Sequence, residues 1–63
     1  MAQDPIQANW PEVARRFEDR ASKAKTVDEF ERMKRCAEGA WWKALTLTPS
    51  EIKRRIAALA FNP

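Results

Sequence analysis

The sequence predicts an all-α protein, a small three-helix bundle, and three observations carry that reading. Asn9-Trp10-Pro11-Glu12, Thr26-Val27-Asp28-Glu29 and Thr48-Pro49-Ser50-Glu51 each place a capping side chain three residues ahead of a glutamate. In such a box the cap oxygen accepts an orphan N–H of the first turn, and the glutamate reaches back to the cap's own N–H. Behind each box, apolar residues recur at helical spacing. Finally, 63 residues divided by three such starts leave room for three helices, two short connections and little else.

Residues 1–8 are polar, carry one proline and show no periodicity, so they read as an extended lead-in to a single domain over 9–63. Ile6 is placed to staple onto the first helix. That helix is expected over Trp10–Ala24, with Trp10, Val13, Ala14, Phe17, Ala21 and Ala24 forming one apolar stripe. Its other side pairs Glu12 with Arg16, Arg15 with Asp19 and Asp19 with Lys23 at i, i+4. Each such pair contributes about 0.2–0.5 kcal/mol.

The second helix is expected over Val27–Leu45, a length of about 28 Å. Phe30, Met33, Ala37, Ala40, Trp41 and Ala44 form its stripe, with Val27 and Leu45 at one margin and Cys36 at the other. The alternation of three and four resembles a bundle seam, and the alanines of its second half allow close approach of another helix. Gly39 lies on the opposite side and costs about 1 kcal/mol relative to alanine. It marks a bend, a place where something packs on bare backbone, or a neutral weakness.

After Thr46-Leu47, a third helix is expected over Pro49–Ala60, with Ile52, Ile56, Leu59 and Ala60 on one face. Short connections make consecutive helices antiparallel. The expected core is Trp10, Val13, Phe17, Val27, Phe30, Met33, Trp41, Ile52, Ile56 and Leu59. The alternative architecture is an open hairpin with helix three packed across it, completed by homodimerisation.

Composition bounds the function. The formal charge is +3, from twelve Lys/Arg against nine Asp/Glu, which is mildly basic and well mixed. No apolar run reaches the roughly 18–20 residues of a membrane span, so no membrane partner is expected. The N-terminus lacks a basic start followed by an apolar stretch, and the one cysteine, Cys36, forbids an internal disulfide. Together these favour a reducing cytoplasm.

The sequence has no histidine and no tyrosine, Cys36 has no histidine partner to activate it, and the single glycine excludes a Gly-rich phosphate loop. A chain this small also has little room for a ligand pocket of roughly 300–1,000 Å³. Neither an enzyme, a metal site nor a cofactor is expected.

The adjacent pair Trp41 and Trp42 points elsewhere. Trp41 falls on the apolar stripe, whereas Trp42 falls about 100° away, among Glu31, Arg35 and Glu38. A tryptophan among charges suits a binding hot spot, with Arg35 and Lys43 as rim contacts. The competing reading covers Trp42 with helix three or the lead-in.

Lys53-Arg54-Arg55 is the nucleic-acid candidate, although consecutive residues spread around a helix and Arg55 stands four residues after Glu51, in ion-pair register. The segment Leu47–Ile56 resembles the first helix of many helix-turn-helix modules, with leucine, a capping threonine, proline, glutamate and then an apolar residue. That resemblance implies a turn and a recognition helix afterwards, and only seven residues follow here.

The expectation is therefore a small non-enzymatic regulatory or accessory protein that binds a larger protein, as a monomer or homodimer. A nucleic-acid-binding regulator using Lys53, Arg54 and Arg55 is the alternative. A structural subunit of a larger assembly is the third.

Overall fold

The structure is a computed structural model that describes residues 9–62. The expected lead-in, the Ile6 staple and Pro63 lie outside the described residues. Three α-helices follow in order: α1 over Trp10–Ser22, α2 over Val27–Ala44 and α3 over Pro49–Ala57. The all-α three-helix architecture is as the sequence predicts.

The starts fall where the caps put them. Asn9 Oδ1 accepts from the Glu12 N–H at 3.2 Å, Thr26 Oγ1 from the Glu29 N–H at 3.1 Å and Thr48 Oγ1 from the Glu51 N–H at 3.2 Å. Only the third box closes reciprocally, the Thr48 N–H donating to Glu51 Oε1 at 2.9 Å. Glu12 accepts from Arg16 at 2.9 Å and from the Asn9 side-chain amide at 3.4 Å, not from the Asn9 backbone, and Glu29 accepts instead from the Lys25 N–H at 3.4 Å. Competing partners within one turn take the second half of those boxes.

All three helices end earlier than expected. α1 stops at Ser22 because its last turn tightens: the Lys23 N–H is shared by the Asp19 and Arg20 carbonyls, and the Ala24 N–H bonds to the Ala21 carbonyl at 3.2 Å. The chain must leave the helix there so that Thr26 can be extended as the next cap. α2 ends one residue early, at Ala44, because Leu45 turns left-handed, with φ 57°. α3 stops three residues short. The Ala58 N–H is shared by the Arg54 and Arg55 carbonyls and the Leu59 N–H bonds to Ile56, which releases Leu59 and Phe61 toward the core.

α2 is the hub. It packs along α1 and against α3, whereas the α1 and α3 backbones scarcely approach. Ala14 of early α1 meets Ala37, Ala40 and Trp41 of α2, and Ala21 and Ala24 at the other end meet Phe30, so the hairpin is antiparallel. Ile52 and Ile56 join the first cluster, and Phe61 stacks at 5.7 Å on Phe30 in the second. Thus α3 and the tail behind it run back beside the hairpin, from the C-terminal end of α2 toward its start.

The core differs from expectation in its composition. Among the described residues, five of the nine buried hydrophobic side chains are alanines: Ala14, Ala21, Ala24, Ala37 and Ala40. They let α1 and α2 approach so closely that large side chains do not fit between them. Trp10, Val13, Phe17, Met33 and Leu59 are therefore half-buried at the edges of the seam. Val27, expected in the core, is 56% exposed, because the first residue of α2 projects past the end of the packed hairpin.

Candidate interaction surface

The two edges of the α1–α2 seam have different fates. On one edge stand Glu18 of α1 and Trp41 of α2. Trp41 Nε1 donates to Glu18 Oε2 at 2.8 Å, and Arg55 of α3 donates from Nε and from an NH2 group to the two Glu18 oxygens at 3.0 and 2.8 Å. The Arg55 guanidinium also lies 4.6 Å from the centroid of the Trp41 ring. One carboxylate thus joins all three helices, and a planar fork satisfies both its oxygens. The hydrogen bonds to Glu18 raise the Arg55 pKa above its ordinary value.

This corrects the sequence-based reading of Arg55. It pairs with Glu18 and not with Glu51, because Glu51 is spent on its helix cap. Of the three cations named for nucleic acid, one is committed to holding α3. Lys53 and Arg54 are exposed and lie about 100° apart around the helix. Glu18 itself was not singled out from the sequence, since its partners lie 23 and 37 residues away and no local spacing signals them.

The α2 surface turned away from α1 is the second notable region. Trp42 lies there, 45% exposed, and the lead-in expected as one possible cover for it lies outside the described residues. Arg35 is exposed on the same face two turns earlier. Lys43 is not a neighbour of Trp42 in the expected sense. Its ammonium sits 5.0 Å from the centroid of the Trp10 ring, drawn across the α1–α2 seam by the ring's negative face.

Two further residues belong with Trp42. Gly39, one turn before it, has a negative φ, and a Cβ built there would meet nothing within 4 Å. Neither backbone conformation nor packing among the described residues calls for glycine. Leu45, three residues after Trp42, is 86% exposed and is the one residue with positive φ among those described. A left-handed leucine costs roughly 1–2 kcal/mol, and glycine is the usual residue at such a helix end.

Gly39, Trp42 and Leu45 therefore each break a local rule of stability, and they do so side by side on one exposed surface. Among the described residues no group of three or more metal-ligating side chains comes together. No helix there is long and apolar enough to cross a membrane. Comparison with protein-family models, with curated proteins and with solved structures finds no match to this chain.

Proposed function

We propose that this chain is a small non-enzymatic accessory protein that binds a larger protein through the C-terminal half of α2, with Trp42 as the anchor, Leu45 beside it and Arg35 at the rim. One observation carries the reading: three locally unfavourable residues, Gly39, Trp42 and Leu45, share a surface on which Trp42 and Leu45 are exposed and no described residue packs where a Gly39 side chain would lie. Departures from local consistency collect where a sequence serves something other than its own fold. A large exposed aromatic next to a bare stretch of helix offers a partner a knob and an adjacent flat place to pack. The commitment of Arg55 to Glu18 favours this reading over phosphate binding by α3, which needs several free cations on one side.

The test is recovery of a partner from native cell extract by the wild-type chain, Trp42→Ala and Leu45→Gly, with thermal melting of each. The expected result is that both variants melt no lower than wild type and both lose the partner recovered by wild type. Equal recovery by all three, or a large loss of melting temperature in Trp42→Ala, would count against Trp42 as an anchor.

A further inference from the structure

No described element covers the second edge of the α1–α2 seam. Successive residues advance about 100° around a helix, so Phe17 lies on the opposite flank of α1 from Glu18, and Val13 lies with Phe17. By the same geometry Met33 and Cys36 lie on the flank of α2 opposite Trp41. α3 and its tail occupy the Glu18–Trp41 edge. Val13, Phe17, Met33 and Cys36 are all half-buried, which leaves an apolar strip between two helices with no described element over it. A shallow depression of about 170 Å³, lined by Val13, Arg16, Phe17 and Arg20, lies along it.

The strip has basic walls. Arg16 and Arg20 flank it on α1, and Arg32 and Lys43 flank it on α2, against one acid, Glu29, near the interhelical loop. Arg16 is shared with Glu12 and Lys43 with the Trp10 ring, whereas Arg20 and Arg32 have no ion pair among the described residues. We infer that this edge is a docking groove for an acidic amphipathic helix of another protein. The apolar face of such a helix would lie on Val13, Phe17 and Met33, completing a four-helix arrangement with α3 on the far side, and its carboxylates would meet Arg20 and Arg32. A helix fits better than a flat anionic surface because the strip is recessed between two helices and not raised on one. The site is separate from the Trp42 surface, which faces away from the seam.

The test uses the purified full chain and three synthetic 18-residue peptides. One is amphipathic with leucine on one face and glutamate on the other, one carries lysine in place of glutamate, and one is a scramble of the acidic peptide. Cys36, the only thiol, lies in the groove and reports occupancy through its rate of alkylation. The acidic peptide is expected to slow Cys36 alkylation at least tenfold at saturation, with the basic and scrambled peptides leaving it unchanged. Arg20→Glu and Arg32→Glu, both at exposed positions that leave the core intact, are expected each to weaken binding about tenfold, while the charge-matched Arg15→Glu, exposed on the other flank of α1, leaves it unchanged.

Four results would overturn the inference. One is equal protection by acidic and basic peptides, or none by either. A second is protection that rises with protein concentration alone, together with a doubled solution mass, which assigns the groove to a second copy. A third is strongly raised alkylation on deleting residues 1–8, which assigns it to the chain's own N-terminal segment. The last is protection by vesicles of anionic phospholipid without protection by the acidic peptide.

Discussion

At the scale of single residues, the chain carries stability it does not use. Alanine at Gly39 keeps the helical backbone and points a methyl group into open space, so Gly39→Ala is expected to stabilise by about 0.5–1 kcal/mol. Leu45→Gly removes the left-handed penalty and should add roughly 1 kcal/mol. The two sites are six residues apart and share no packing, so urea denaturation of the double variant should show a near-additive gain. A loss on Gly39→Ala would mean that something packs against the bare backbone there, and a loss on Leu45→Gly that the leucine side chain has a role inside the fold. Glu51 behaves in the opposite way. Its hydrogen bonds with the backbone and side chain of Thr48 hold its carboxyl below the ordinary glutamate range. A depressed folded-state pKa stabilises fully above the unfolded value, about 4.3, and that contribution is lost as pH falls through the lowered folded value. The melting-temperature gap between wild type and Glu51→Ala should therefore be constant from pH 7 to about pH 5 and shrink below that. A gap that widens toward pH 3 would contradict the sign.

At the scale of helices, starts were legible and ends were not. A cap is a property of four consecutive residues, and Asn9, Thr26 and Thr48 all lie where the sequence puts them. Helix ends depend on where the chain must go next. Ala24 and Leu59 carry helical periodicity, yet each lies outside its helix, because Thr26 must become extended and Phe61 must reach Phe30. The outward position of Trp42 was readable from the 100° step, whereas the extent of its exposure required the packed structure. The junction of α1, α2 and α3 was hidden for a different reason. Glu18, Trp41 and Arg55 are far apart in sequence, Trp41 and Arg55 each had a local role to fill, and no local spacing marked Glu18. Their coupling predicts that Arg55→Ala loses both the bidentate pair and the contact with the Trp41 ring. The expected cost is about 1–2 kcal/mol, held at that level because the guanidinium is partly exposed to solvent. Arg55→Lys keeps the charge but not the fork, and should fall between the two in chemical denaturation. An Arg55→Ala variant as stable as wild type would mean the network is incidental.

At the scale of the whole molecule, the question is whether α3 is an appendage or part of one cooperative unit. The limited backbone approach between α1 and α3 suggests an appendage. The distribution of apolar bulk argues otherwise. Between α1 and α2 the buried contacts are mostly alanine methyls, which bury little area each, and the large buried aliphatic side chains, Ile52 and Ile56, both come from α3. Without α3, Trp41 would lose its cover and the Arg55 ion pair that completes Glu18, leaving a hairpin with too little apolar burial to offset the entropy of ordering it. The three helices should therefore unfold together. Tryptophan emission, to which the buried Trp41 beside α3 contributes, and far-ultraviolet circular dichroism, which reports helix throughout, should give the same urea midpoint. An emission change at distinctly lower urea would show α3 leaving first. Ile52→Ala sharpens the test. Truncating a fully buried isoleucine costs about 2–5 kcal/mol, and a core of this size rarely supplies more than about 3–5 kcal/mol in total. The variant should be largely unfolded at 25 °C, with α1 and α2 losing their helical signal along with α3. Retention of about three-quarters of the native ellipticity, the share of helical residues that α1 and α2 hold, would mean that they are stable alone and that α3 is free to detach.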